Sequence, residues 1–421
     1  TDEFDYDKWS VVACDQFTSQ PDYWHTVKTN IGSAPSTYNL ILPEAYLGTD
    51  FEHDHAANIN INMRKYLDSG VFREIDGFIY VERHFENTIR KGLIVTLDLE
   101  QYDYSKNSCS LILATEGTII DRLPPRIKIR SKALMEIPHI LVLIDDPDMT
   151  VIEPIANSPN GLEALYDFDL MQNSGHIKGF RISSPSLEKR SMKALENLKS
   201  QKLQSIKYST PIETPSLLYA VGDGNHSLAT AKAIWENNKK RLPSNHPSRY
   251  ALVEIVNLHD ESIIFEPIHR LLIGIKNDWL LQLKTYFGDK LILSKMPDFP
   301  SIIKAVTENQ SIIQTFGIFD EKGFWIGRIS NPDHTLTVGS IQNCLDDLKI
   351  NSHIKSIDYI HGDEAIRELG STQGNGGILL PALKKDSFFQ SVIKDGALPR
   401  KTFSMGEAYQ KRFYLECRKI K

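Results

Sequence analysis

The chain has 421 residues, 24% of them charged, and a formal net charge of -6, a length that calls for two or three domains with cores needing no disulfide or metal staple. So mild an acidic balance argues against a polyanion such as nucleic acid as partner. The four cysteines, Cys14, Cys109, Cys344 and Cys417, lack the close spacing of a zinc site or redox dithiol. No apolar stretch approaches the ~20 residues that span a bilayer, so a cytoplasmic protein with reduced thiols and no membrane partner is expected.

In chain order, the apolar run 9–14 precedes a helix expected over 22–31, just after Pro21, whose missing N–H costs little at a helix start. Segment 38–42 reads as a strand, and 55–67 carries apolar residues at helical spacing up to the stop Ser69-Gly70. The runs 78–81, 93–99, 110–115 and 140–144 are rich in Ile, Leu and Val and read as strands of one sheet. Helices are expected over 161–171 and 186–199, then a buried strand 217–221, a turn 222–226, a helix 227–237 and a strand 250–256. Segment 263–265 reads as extended, and His269 and Arg270 fall at an expected helix start stiffened by Pro267. After Gly274 the pattern restarts with a helix over 279–286, strands over 312–318 and 323–329, and helices over 339–348 and 387–394. The expected fold class is mixed α/β (α+β), with an N-terminal and core domain over 1–275 and a smaller C-terminal α/β lobe over 276–421.

The run from Leu217 to Ala231 passes from strand to helix through Gly222-Asp223-Gly224-Asn225-His226-Ser227. Glycines let backbone approach a ligand closely, and unpaired N–H groups at a helix start favour an anion such as phosphate. Asp223 would hold a cation or take a hydroxyl proton, and His226 would stabilise charge on a transferring group. The same residues would also make a plain turn before a helix capped by Ser227. A second cluster, Thr115-Glu116-Gly117-Thr118, precedes Arg122, Arg126 and Arg130: a carboxylate at a strand end, then guanidinium groups able to hold a phosphate bidentately or to form a surface ion-pair network. The loop Gln373-Gly374-Asn375-Gly376-Gly377 lacks the Lys and Ser/Thr of a P-loop.

These motifs resemble the bacterial and archaeal family catalogued as domain of unknown function 1015. Its Asp-Gly-His-His-Arg turn opening an Ala-rich helix is similar to Asp223-Gly224-Asn225-His226-Ser227, with Asn and Ser at the two departures. Its His-Glu-x-Thr segment resembles Thr115-Glu116-Gly117-Thr118, and its Thr-His-Arg resembles Ile268-His269-Arg270. The turn is also similar to that of the ParB and sulfiredoxin superfamily, which includes nucleotide-dependent free-serine kinases with a glutamate upstream of Asp-Gly-His-His. This resemblance implies a ParB-like core sheet with flanking helices and a small-molecule phosphotransferase. Glu116, Asp223 and His226 would be its catalytic residues. Thr118, Arg122, Arg126, Gly224, Asn225, Ser227, His269 and Arg270 would bind phosphate or substrate, Asp223 would hold Mg²⁺, and ADP or ATP would be the donor. A nucleotide-binding switch and a metal-assisted phosphohydrolase are the other functions implied, with the oligomeric state open.

Overall fold

A computed structural model of the chain describes residues 4–105, 108–276, 278–308 and 313–421, with the backbone alone at Arg122. These residues fall into two units, Thr1–Ile263 with Gly406–Lys421, and Ile264–Met405.

The first unit is built on a nine-stranded sheet. From edge to edge its strands are Tyr102–Asp103, Ile112–Ala114, Tyr219–Asp223, Leu141–Ile144, Tyr250–Asn257, Thr88–Asp98, Ile79–Phe85, His176–Ile182 and Leu162–Asp169. Side chains alternate across it, as a pleated backbone requires. Tyr80, Leu93 and Val95 join Val142, Val221 and Val253 in one apolar cluster, while Val81 and Ile94 join Trp24, Ile59 and Met63 in the other. The four runs read as strands of one sheet all contribute to it. Ile112–Ala114 runs parallel to Tyr219–Asp223, with Ile112 opposite Tyr219 and Ala114 opposite Val221, whereas Leu141–Ile144 flanks the same strand antiparallel. The segments that follow Ala114 and Asp223 therefore leave neighbouring parallel strands at the same end of the sheet.

The helices Pro21–Ile31, Asp50–Asp68, Pro185–Leu198 and Asn225–Asn238 lie where periodicity and stop signals place them. Two of the elements expected in this unit are absent. Residues 161–171 hold the strand Leu162–Asp169, paired antiparallel with His176–Ile182; Leu162, Ala164, Tyr166 and Phe168 are spaced by two, a strand period rather than a helical one. Residues 38–42 are not a strand, because Thr37–Leu40 is a 3-10 turn whose start is capped by Ser36 Oγ accepting from Tyr38 N–H at 3.2 Å.

In the second unit the sheet is antiparallel and runs Leu291–Met296, Gly323–Ile329, Gln314–Asp320, Asn375–Leu379, Phe265–Ile273 and Ser356–His361, with Phe403–Met405 paired to Phe265–Pro267. Both faces are covered: Leu272 packs with Trp279, Ile341 and Leu345, and its neighbour Leu271 packs with Phe299, Ile302 and Ile366. The expected helices at 279–286, 339–348 and 387–394 are Trp279–Phe287, Thr337–Ile350 and Lys385–Asp395. Position 312, the start of one expected strand, lies outside the described residues.

The division falls ahead of 275, because Phe265–Ile273 hydrogen-bonds into the second sheet. The chain end belongs to the first unit: Phe413–Tyr414 pairs with Val11–Val12, and Arg418–Lys419 with Met135–Glu136. Among the described residues no helix is long and apolar enough to cross a membrane, and all four cysteines are free thiols.

Candidate functional site

Gly224 is the hinge of the strand-to-helix junction. Its φ of +79° is the left-handed conformation that favours glycine, and a Cβ there would come within 2.9 Å of the Ile140 Cα. Gly224→Ala is expected to lower the stability of the first unit by about 1–3 kcal/mol, read by hydrogen exchange in the strand Tyr219–Asp223. Unaltered protection there would show that the turn relaxes around a methyl group.

The helix Asn225–Asn238 starts at Gly224 without a side-chain cap. Ser227, the cap expected from sequence, lines a cavity instead. Asn225 Oδ1 is buried and has no hydrogen-bond partner. Just beyond the neighbouring parallel strand Ile112–Ala114, Thr115 Oγ1 donates to Val221 O at 2.6 Å, and Ile119 N–H donates to His226 Nε2 at 3.3 Å. The loop carrying Glu116 is thereby tied to the helix start carrying His226. Because Nε2 accepts, the proton of a neutral His226 ring sits on Nδ1. Glu116 is half-buried in this loop. Thr118 Oγ1 is buried beside the Tyr102 hydroxyl.

Asp223 meets a residue that the sequence reading missed. Lys411 Nζ lies 3.3 Å from its Oδ2, while Oδ1 accepts from Gly224 N–H at 2.8 Å. Burial raises the Asp223 carboxyl, but Lys411, His139 and the Gly224 N–H together outweigh it and hold the pKa below the ordinary carboxylate value. A depressed folded-state pKa gives stability that is present above the unfolded value of ~3.9 and lost as pH falls through the folded one. Lys411→Met removes the strongest lowering influence, so the acid-unfolding midpoint of the first unit is expected to move to higher pH. An unmoved midpoint would show that Lys411 does not set this carboxylate. No sequence signal near Asp223 points to Lys411, which lies on the segment that returns to this unit at the chain end.

As a magnesium site the junction fits poorly. Asp223 offers one carboxylate whose two oxygens already face Lys411 and Gly224 N–H, and among the described residues it joins no group of three or more His, Cys, Asp or Glu close enough to share a cation.

Beside the junction lies a cavity of about 390 Å³, lined in part by Ser227, Thr230, Asp121, Arg126 and His139. Arg126 sits on the helix Leu123–Arg130 and pairs with Glu44; Arg130 pairs with Glu136 at 2.5 Å. Glu116, Asp223, Gly224, Asn225, His226, Ser227 and Arg126 all lie in the first unit, Ser227 and Arg126 on the wall of this cavity. Arg122 ends the 3-10 turn Ile120–Arg122, and its side chain lies outside the described residues.

His269 and Arg270 belong to the second unit. They stand in the middle of the strand Phe265–Ile273 rather than at a helix start, because Leu271, Leu272 and Ile273 continue an apolar run hydrogen-bonded to strands on both sides. His269 is buried, Nε2 facing Asp363 Oδ1 at 2.9 Å and Nδ1 accepting from Leu380 N–H. Arg270 is fully buried; it donates to Gln342 Oε1 and to the carbonyls of Ile268, Lys401 and Arg400, and stacks on the Tyr359 ring.

The family profile described as "Protein of unknown function (DUF1015)" matches residues 2–348. No curated protein matches the sequence. Among solved structures, a mutant free serine kinase in complex with ADP is similar at 12% identity and a TM-score of 0.41, covering 78% of this chain and 92% of that one. A conserved hypothetical protein from Pyrococcus furiosus is similar at 12% identity and a TM-score of 0.37, covering 78% and 95%. C-terminally truncated SbnI from Staphylococcus aureus is similar at 11% identity and a TM-score of 0.36, covering 74% and 82%.

Proposed function

The chain belongs to the family described as proteins of unknown function DUF1015, and we propose that its first unit transfers a phosphoryl group from a nucleotide to the hydroxyl of a small molecule. The observation that carries this reading is the tie between the Glu116 loop and the start of the helix Asn225–Asn238, made by Ile119 N–H donating to His226 Nε2 at 3.3 Å. It joins a carboxylate, an imidazole and an uncapped helix N-terminus at the ends of two parallel strands, the region where open α/β sheets place their ligands. Phosphoryl transfer asks little of a protein beyond positioning and charge neutralisation.

In the proposed step the acceptor hydroxyl oxygen attacks the terminal phosphorus of a nucleoside di- or triphosphate. Its proton passes to Glu116, the bond from phosphorus to the bridging oxygen breaks, and the nucleotide departs one phosphate shorter. His226 Nδ1–H and the helix start neutralise the transferring group. Asp223, held ionised by Lys411, orients the turn. No step is routed through a metal. Arg270 has no part in this step, since its guanidinium is committed to acceptors of its own unit. The sequence order of Glu116 before Asp223 and His226, similar to that of the free-serine kinases, supports the same chemistry, and a serine-like amino acid is the acceptor that this resemblance by itself suggests.

The test is a mass-spectrometric screen of the purified protein with ADP or ATP, Mg²⁺ and a pool of amino acids and other small alcohols. A phosphorylated product that disappears with His226→Ala is the expected result. Nucleotide-dependent thermal stabilisation without product would replace this reading with a nucleotide switch, and phosphate release without an acceptor would replace it with a phosphohydrolase.

A further inference from the structure

The cavity beside the junction is walled mainly by Leu40, Ile41, Met63, Ile129, Met135 and Ile137. Its volume of about 390 Å³ lies within the range of small-molecule sites, which are mostly apolar with a few placed polar groups.

Most of the charged groups on its walls are already matched, and Asp121 is exposed to solvent. Arg126 pairs with Glu44. Glu136 accepts from Arg130 at 2.5 Å, from Arg418 Nε at 2.6 Å and from Leu252 N–H at 2.9 Å. His139 Nδ1 and the Tyr414 hydroxyl share a hydrogen bond at 2.8 Å. A doubly charged ligand lodged among these walls would have to break one of those pairs and strand its partner. The placed polar group is Ser227, half-buried and one residue beyond His226.

We propose that this cavity takes the apolar body of the small molecule that the protein binds, an aromatic or alkyl alcohol whose hydroxyl end lies at Ser227. The position of that hydroxyl beside His226 rests on the phosphoryl-transfer reading; the apolar occupancy does not. A free amino acid such as serine, ionised at both ends and without an apolar body, is a poor match to these walls. Met63 and Met135 suit a site of this kind, since methionine adapts to irregular apolar ligands.

The experiment uses the whole chain labelled with ¹³C-methyl methionine, which gives seven methyl signals to follow. It is titrated with 3-phenylpropan-1-ol and, separately, with free serine. The alcohol is expected to move the Met63 and Met135 signals saturably and leave the other methionines in place, while serine moves neither. Ala133→Phe, which adds a ring to the cavity wall, should weaken the alcohol at least tenfold. Shifts spread over all methyls without saturation, or none at Met63 and Met135, would overturn the proposal even if the Ala133 variant does not fold. If the alcohol binds in the cavity but no phosphorylated product forms with ADP or ATP, the cavity assignment stands and the phosphotransfer reading falls. If serine is phosphorylated while the alcohol moves neither methyl, the reverse holds.

Discussion

Replacing Glu116 by Gln should lower phosphoryl transfer by about 10²–10⁴-fold, the usual contribution of a positioned general base, and leave nucleotide affinity nearly unchanged. The amide keeps the size of the half-buried side chain but cannot take the acceptor proton. The loop that presents it is anchored by groups other than the carboxylate. Thr115 is anchored on Val221 O, and Ile119 is anchored on His226 Nε2, so both ends of the loop keep their hydrogen bonds in the variant. Single-turnover product formation followed by mass spectrometry, with nucleotide affinity from calorimetry, separates the two effects. Equal turnover in the variant would remove Glu116 from the chemistry. A parallel loss of nucleotide affinity would make it a binding residue instead.

What sequence reveals of this site is set by how local each signal is. The turn Asp223 to Ser227 is legible because two glycines, an apolar strand and an Ala-rich helix follow one another within fifteen residues, and the structure keeps that order. The pairing of Ile112–Ala114 with Tyr219–Asp223 joins segments more than a hundred residues apart, and only the sheet register brings Glu116 toward His226. Lys411, His139 and Tyr414 are invisible for the same reason. His269 and Arg270 illustrate the opposite error in local structure, since the proline before them reads as a helix start and the pair stands in the interior of a strand. At 162–169 the period-two spacing of Leu, Ala, Tyr and Phe was available, but the extra Leu165 breaks a clean alternation, and the strand itself carries a bulge between Ala164 and Tyr166.

Arg412→Met should destabilise the first unit by about 3–5 kcal/mol, the cost of removing one partner from a buried ion network. Arg412, Glu254 and Glu416 are all nearly inaccessible. Arg412 bonds Glu254 through Nη1 and Glu416 through Nη2 at 2.5 Å, and Tyr166 also donates to Glu416. Burial by itself would lower the guanidinium pKa, but Glu416 and Glu254 overcome it and hold the group charged. Methionine fills similar volume and leaves Glu254, among the described residues, with Arg90 as its one cationic neighbour, 3.8 Å away. The consequence reaches the site through the chain: Lys411 immediately precedes Arg412, so loosening this segment also loosens the cation that holds Asp223 ionised. Hydrogen exchange should therefore show the strand Phe413–Tyr414 opening first, with Asp223 titrating at higher pH in the same variant. Global destabilisation with an unmoved Asp223 would show that the network and the turn are energetically separate. Restored stability in Arg412→Met combined with Glu254→Gln would identify the stranded Glu254 charge as the source of the loss.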